Sequence, residues 1–504
     1  MPSRPNVLLI TTDEQRFDAA GFNGNRHIKT PNLDALAEDS VVLSNHTCSS
    51  PICTPARASI LTGLYPYSHG AWHVGYKLDE SIGGLAHWLG DAGYHCGFSG
   101  KAHFEAEESG YVNTLQERKE YYGFTETHIT EDVPDGEYVD WIREAYPGLG
   151  DTYLKACHED VQKPPIPMAG TGRIDAVYTS PVPEAAHQTA WITDRAIDMT
   201  EQAASDDTPF FVWCSYVDPH HPWNPPEPFA SMYDPASLPG PAMREGETDG
   251  LEASYFFAAG IDDAEYRRMR AAYYGLVSHI DHHCGRLLDR LKTLGIYDDT
   301  LIIFTSDHGD FDGDHGLIRK NAWLYESILK VPCTIKPPGK PDSPASPSSR
   351  IEFDGLSQHE DLAPTILEYA GVDPGKSMLD GISLVPVIGR STTTTTGREY
   401  AFFEYMGIQG VRKGQYKLIH YPHREWNQML RRGSVQSNGT IGSLLRYPDD
   451  SDGFLLTNVD DDPLEYENLA GRAETAEIER ELKDVLLERL LKSPRYFPPK
   501  PYRW

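Results

Sequence analysis

Two short pairs of residues, Asp13-Glu14 and Asp307-His308, each follow an apolar run and bring three carboxylates and an imidazole from distant parts of the chain. Hard divalent cations take carboxylate oxygens in sites assembled this way. A third segment, Cys53-Thr54-Pro55-Ala56-Arg57-Ala58-Ser59-Ile60-Leu61-Thr62-Gly63, supplies a nucleophile-bearing position. Pro55 suits the first turn of a helix that Ala58 to Leu61 can continue, so Cys53 falls near a helix N-terminus. Free N–H groups and the helix dipole favour an anion there, and Arg57 adds a permanent bidentate donor for a tetrahedral oxyanion. A low-pKa thiolate nucleophile is one reading of this arrangement. The run Asp310-Phe311-Asp312-Gly313-Asp314 imitates the opening of an EF-hand, but position six is His315 and position twelve is Asn321, so that reading fails.

Residues such as these need strand ends to hold them. Val7 to Ile10, Phe210 to Cys214 and Thr300 to Thr305 are continuous apolar runs, each opening into polar, reactive residues. Buried strands of this kind alternating with helices indicate an α/β fold, a large and mostly parallel sheet sandwiched by helices. Open sheets place their sites past the C-terminal strand ends. The clearest helix runs from about Asp263 to Leu291, with Tyr273, Leu276, Val277, Ile280, Cys284, Leu287, Leu288 and Leu291 on one apolar face. His279, His282 and His283 interrupt that face and read as rim or solvent-facing histidines, because no carboxylate or cysteine stands at ligand spacing.

Residues 105–185 look like an insertion decorating a catalytic domain of residues 1–390, and 336–350 is a Pro- and Ser-rich surface loop. The low-complexity stretch from Ser391 to Gly397 marks a boundary. A smaller C-terminal α+β subdomain, 391–504, follows, with strands at Tyr400 to Tyr405 and Tyr416 to Tyr421 and a helix from about Thr475 to Leu491. The aromatic tail, Tyr496 to Trp504, reads as a strap across the protein's own surface, with docking onto a second subunit, and hence a homo-oligomer, as the alternative.

Composition narrows the class. With 45 Lys+Arg against 75 Asp+Glu the formal charge is −30, which argues against nucleic acid or an anionic membrane as partner. Val7 to Ile10 is too short for a signal-peptide core, so if Met1 is the natural start the expectation is a cytoplasmic protein. Seven scattered cysteines then read as free thiols, with Cys53 set apart.

Cys53-Thr54-Pro55-Ala56-Arg57 resembles the Cys-x-Pro-x-Arg signature of type I sulfatases of the alkaline phosphatase superfamily, in which the cysteine is oxidised to formylglycine. Gly100-Lys101-Ala102-His103 is similar to the family's Gly-Lys-x-His element, and Pro219-His220-His221-Pro222 to its Pro-His-x-Pro. Asp314-His315-Gly316 with Lys320 and Tyr325-Glu326 resembles the stretch that supplies a second lysine. Asp461 to Leu469 is similar to the C-terminal Asp-Pro-x-Glu-x-x-Asn-Leu element, so the resemblance covers nearly the whole chain.

The resemblance implies hydrolysis of a sulfate monoester, from a small molecule or a saccharide, to alcohol and inorganic sulfate. It implies that Asp13, Glu14, Asp307 and His308 hold one divalent metal, usually Ca²⁺, with Cys53 as formylglycine hydrate serving as both ligand and nucleophile. Arg57 would stabilise the hydrate and substrate oxygens, while Lys101 and Lys320 would bind sulfate. His220, with Lys320 beside it, would protonate the departing alcohol, and His103 would take a proton from the second hydroxyl of the sulfated intermediate so that it collapses to the aldehyde. His221 reads as structural or substrate-lining. A formylglycine-generating maturation enzyme is the implied partner.

Three departures matter. Glu14 stands where Asp is commoner, His308 where Asn is often found, and Ala56 replaces a frequent Ser. An imidazole ligand widens the metal choice toward Mn²⁺, with Mg²⁺ also open. Phosphonate monoester and phosphodiester hydrolases share the formylglycine site and some carry Asp-His at the second metal position, but they typically lack the Gly-Lys-x-His element that Lys101 and His103 retain here. A catalytically silent metal-binding scaffold would show erosion of the site, and none is visible. Tyr138, Trp141, Trp223 and Trp426 are expected near the pocket mouth, in 105–185, about 222–262 and 422–452, where they would suit a sugar or aryl ring. The charge of −30 leans toward a small or sparsely sulfated substrate.

Overall fold

The computed structural model describes residues 4–105, 120–162, 174, 176–245, 247, 261–320, 323–339, 350–375, 379–388, 397–421 and 453–492. The boundary stretch from Ser391 to Thr396, most of the loop 336–350, Trp426 with the whole of 422–452, and the aromatic tail lie outside the described residues.

The apolar runs become strands because they are buried on both faces. The strands are β1 Asn6–Thr12, β2 Val41–Thr47, β3 His95–Gly100, β4 Glu126–Ile129, β5 Phe210–Ser215, β6 Thr300–Ser306, β7 Cys333–Lys336 and β8 Ile351–Gln358. They form one sheet in the order β4-β3-β5-β1-β6-β7-β2-β8. Every pairing is parallel except those of β7, which runs against both β6 and β2.

Strict alternation sends Val7 and Leu9 of β1 into one core, with Phe98, Trp213, Leu301 and Ile303. Leu8 and Ile10 enter the other, with Val212, Ile302 and Phe304. The helices that cover these faces include α1 Pro31–Glu38, α2 Cys53–Thr62, α3 Leu85–Asp91, α4 Gln188–Ser205, α5 Asp263–Leu294 and α6 Leu362–Ala370. Side chains from α1, α4 and α5 fill the second core. In α5 the Asp262 side chain accepts from the Glu265 N–H at its start, and Gly295 closes it at φ 72°. Between these caps Ile280, Cys284, Leu287, Leu288 and Leu291 pack on the sheet, while Tyr266, Met269, Tyr273 and Leu276 pack with Trp223 and Tyr233, so a helix of 32 residues holds together.

A second sheet, antiparallel, has the order β12-β11-β10-β9, from Ala401–Tyr405 (β9), Ile408–Lys413 (β10), Tyr416–His420 (β11) and Phe454–Asn458 (β12). Helix α7, Ala476–Lys492, lays Leu482 and Leu486 against Val411, Leu418 and Leu456 of that sheet.

The segment read as decoration is partly structural. Glu126–Ile129 forms an edge strand of the main sheet, parallel to β3. Tyr138 and Trp223 are core residues at 0% and 1% exposure, and Trp141 packs against the same core as Tyr138, so these rings are not mouth residues. Their planar, apolar bodies are worth more inside than on a rim. His279 and His283 are also buried, whereas His282 is exposed, so the helix face that they interrupt is not a rim. All seven cysteines are buried and unbridged.

Candidate active site

The site grows from the register of two neighbouring strands. Thr12 of β1 lies opposite Ser306 of β6, so Asp13 and Asp307 emerge side by side at the C-terminal edge. Their turns interlock: the Asp307 N–H donates to the Thr12 carbonyl at 3.0 Å. The Glu14 N–H donates to Asp307 Oδ1 at 3.2 Å, and the Gln15 N–H to Ser306 Oγ at 2.8 Å. Glu14 adopts φ 67°, a left-handed conformation that a side chain rarely takes without tertiary support.

Cys53 is the first residue of α2, wholly buried, with its sulfur 3.3 Å from His308 Nε2 and 3.7 Å from Asp13 Oδ1. The His308 Nδ1 faces the Gly309 carbonyl at 3.0 Å; donating there leaves the Nε2 lone pair for the cluster. One donor atom each from Asp13, Cys53, Asp307 and His308 lie within 4.8 Å of one another. Two carboxylates, an imidazole and the position-53 side chain in one buried cluster fit a divalent cation. Burial and the neighbouring Asp13 raise the Asp307 pKa, with Arg57 and Lys101 opposing. Glu14 is not in this group: its carboxylate turns to Lys320, His220 and His221.

Arg57 is fully buried and its guanidinium is already engaged. Nε donates to Asp307 Oδ2 at 2.9 Å and Nη2 to Asp13 Oδ2 at 3.2 Å. Nη1 donates to the Lys101 carbonyl at 2.7 Å and to Ser215 Oγ at 2.6 Å. The geometry makes it a brace between the two strand ends.

Lys101 reaches the centre because β3 and β5 approach unusually closely. A Cβ on Gly100, which sits at φ 101°, would fall 1.8 Å from the Ser215 carbonyl oxygen. The Lys101 N–H then donates to that same oxygen at 2.9 Å. Its ammonium contacts Asp13 Oδ2 at 2.5 Å, Cys53 Sγ at 3.6 Å and the Asp132 carboxylate. Burial opposes this charge, but Asp13 and Asp132 outweigh it and hold the pKa well above the ordinary lysine value. Lys320 is likewise held protonated against burial by Glu14 and Asp13.

Burial drives His103 and His220 the other way, well below the usual histidine pKa. His103 is reinforced in this by Lys101, while Asp132 opposes the shift at His220. His220 Nδ1 faces the His221 carbonyl at 2.6 Å, leaving Nε2 toward Asp132 Oδ2 at 3.5 Å and Glu14 Oε1 at 3.7 Å. The two imidazoles of His220 and His221 stack with centroids 4.0 Å apart. The Cys53 thiol is pushed well above its ordinary value by burial and then by Asp13, so the thiolate reading is not supported.

Asp132 and Glu131 were not picked out in the sequence. Glu131 Oε1 accepts from the N–H groups of Ala102 and His103, at 3.3 and 3.1 Å, and so shapes the Lys101–His103 turn. The available signal was the same as at Asp13: acidic residues just past an edge strand, hidden here by the weak pattern of Glu126–Ile129.

The sulfatase family profile matches residues 5–372, and a profile for the C-terminal part of N-sulphoglucosamine sulphohydrolase matches residues 313–432. The chain belongs to the sulfatase family. An arylsulfatase of Clostridium perfringens is 32% identical over 424 residues, 80% of this chain and 82% of that one. The multifunctional alkaline phosphatase superfamily protein PehA of Trinickia caryophylli is 31% identical over 434 residues, 79% and 80% of the two chains. The phosphonate monoester hydrolase of Agrobacterium radiobacter superposes with a TM-score of 0.75 at 25% identity, covering 97% of this chain and 96% of that one.

This sulfatase is thus a hydrolase of sulfuric esters, of a family that works with a divalent metal and a formylglycine-type nucleophile. Two of its recognisable motifs are braces. Glu326 pairs with Arg412 at 2.8 Å and Lys417 at 3.0 Å, and Lys417 also meets Glu465 at 2.7 Å, tying the Tyr325-Glu326 and Asp461–Leu469 elements to the second sheet. The rejected EF-hand run behaves similarly: Asp312 pairs with Arg270 at 2.6 Å and Asp314 with Arg16 at 2.8 Å.

Proposed function

We propose that this sulfatase cleaves a monoester of sulfate through a formylglycine formed from Cys53, with the ion held by Asp13, Asp307, His308 and the position-53 side chain. The observation that carries this reading is the convergence of those four residues at one buried point, with two protonated lysines around it. A divalent cation bound there with formylglycine hydrate supplies an activated oxygen nucleophile and neutralises charge that develops on the sulfuryl group. His308 keeps Ca²⁺, Mn²⁺ and Mg²⁺ all in play, and Ca²⁺ is the family's usual ion.

The protein's own groups do the rest. Lys101 and Lys320, kept charged by the surrounding carboxylates, bind and orient the sulfuryl oxygens. Arg57 holds Asp13 and Asp307 at a fixed separation. His220 gives the alcohol its proton from Nε2, aided by Lys320; an anionic ester beside that nitrogen adds to the pull of Asp132 toward the imidazolium. His103, kept neutral by burial and by Lys101, accepts the proton that releases sulfate. Glu14 holds Lys320 and faces His220 and His221. With a formal charge of −30, the rest of the chain favours a small or sparsely sulfated alcohol.

A second reading, hydrolysis of phosphonate monoesters or phosphodiesters, is favoured by His308 among the metal donors and by the 0.75 TM-score to a phosphonate monoester hydrolase. Mass spectrometry of the tryptic peptide bearing residue 53 tests the first claim: protein from its native host should carry a formyl group, and an unmodified thiol sinks the mechanism. Specificity constants on matched aryl sulfate and aryl phosphonate esters, for enzyme reconstituted with Ca²⁺ or Mn²⁺, test the second. A strong phosphonate preference reverses the ranking. Lys101→Ala should lower sulfate-ester turnover by about 10²–10³-fold.

A further inference from the structure

A second cluster of ligand-type side chains stands apart from the reaction centre. His279 and His283 lie four residues apart on α5, so both rings project from one face of the helix. Both are wholly buried, at 0% exposure. The turn Glu184–Ala186, distant in sequence, brings the Glu184 carboxylate against them. His279 Nε2 and His283 Nε2 are 3.1 Å apart, and Glu184 Oε1 is 3.5 Å from the first and 2.5 Å from the second.

We propose that His279, His283 and Glu184 form a second metal site, for a divalent first-row transition ion such as Zn²⁺, that stabilises the loop carrying His220. Donors about 2.0–2.1 Å from an ion stand roughly 2.9–3.4 Å apart at right or tetrahedral angles, close to two of the three separations here. Two imidazoles and one carboxylate suit zinc-class ions; Ca²⁺ and Mg²⁺ want oxygen. Glu184 Oε1 and His283 Nε2 stand 2.5 Å apart, and the ion would replace the proton between them.

The surroundings fit ligation. Ligating histidines usually present their other ring nitrogen to a carboxylate. His279 Nδ1, buried and without a hydrogen bond, faces Asp218 Oδ2 at 4.0 Å. The same oxygen meets His187 Nδ1 at 3.5 Å and takes a hydrogen bond from Thr189. Arg286 Nη1 approaches His283 Nδ1 at 3.0 Å and pairs with Asp194 at 2.7 Å. When the ion takes Nε2 the ring proton moves to Nδ1, so Arg286, which is 39% exposed, steps away. Glu184, 27% exposed, gives the ion an entry path.

The site also reaches the chemistry. Asp218 opens the segment Asp218 to Pro222, and its carbonyl accepts from the Asp13 N–H at 3.2 Å. An ion on His279 therefore anchors, through Asp218, the segment that holds His220.

The test is metal stoichiometry. Full-length protein is stripped with chelator, equilibrated with Zn²⁺, desalted and assayed for bound metal. Wild type should carry one equivalent more than Glu184→Gln, whose amide keeps a hydrogen bond to His283 and preserves folding. His283→Gln should lose the same equivalent, and His282→Gln, on the exposed face, should lose none. Affinity at the lost site should fall at least about 100-fold, beyond the 10–100-fold typical of outer partners. Zn²⁺ should also raise the melting temperature of wild type more than that of Glu184→Gln. Equal Zn²⁺ content in wild type and Glu184→Gln, with equal melting temperatures before metal is added, overturns the proposal. So does loss of the extra equivalent in His282→Gln alone.

Discussion

Asp132 Oδ2 lies 3.5 Å from His220 Nε2, and the same carboxylate pairs with Lys101. One side chain from an edge-strand loop therefore touches both the cation nearest Cys53 and the histidine proposed to protonate the leaving group. Its pKa is strongly lowered, with burial opposing and His220 and Lys101 prevailing, so it is a standing negative charge.

Removing that charge lowers the His220 pKa, because a carboxylate favours the imidazolium. In Asp132→Asn the alkaline limb of the pH–rate profile should move to lower pH by about 1 unit, with turnover down about 10–100-fold. An unmoved limb refutes the electrostatic link, whatever happens to the rate.

Arg57 bridges Asp13 and Asp307 without exposure to solvent. Arg57→Ala strips the guanidinium from two buried carboxylates, of which Asp13 alone keeps Lys101, and should cost about 3–5 kcal/mol. Arg57→Lys keeps the charge but cannot span both oxygens, so it should recover part of the stability and little activity. Chemical denaturation read beside turnover checks both; full activity in the lysine variant would falsify the brace.

Gly100 has no room for a side chain, with the Ser215 carbonyl 1.8 Å from the Cβ position and φ at 101°. Gly100→Ala adds about 1–3 kcal/mol of backbone strain to the clash. It should therefore destabilise the protein by more than about 3 kcal/mol and displace Lys101. Urea midpoints within error of wild type would contradict the close approach of β3 and β5.

Glu326, pulled down to about 2 by Lys417 and Arg412 against burial, predicts acid sensitivity. A carboxylate lowered on folding stabilises above its unfolded value, near 4.5, and loses that contribution as pH falls toward about 2. Glu465 shares Lys417 and is shifted upward by burial, which reduces the net effect. The stability gap between wild type and Glu326→Gln should narrow by about 1–3 kcal/mol from pH 5 to pH 3. Parallel curves over that range would show that the pair carries no linkage.

What the sequence determined by itself was local. The runs Val7 to Ile10, Phe210 to Cys214 and Thr300 to Thr305 could only be buried strands, and the helix beginning at Cys53 follows from Pro55 and the residues after it. The motif order was enough to point to a sulfatase, and the family comparison agrees. Tertiary structure decided which charges meet. Register across β1 and β6 joined Asp13 to Asp307, and an edge strand of only four residues delivered Asp132, for which no periodicity speaks. It sent Tyr138 and Trp223 into the core, set Arg57 between Asp13 and Asp307, and set Glu184 against two buried histidines. Strand and helix patterns are short-range properties of the chain. The partner of a buried charge is chosen by whichever element folds against it, and that contact has no sequence spacing.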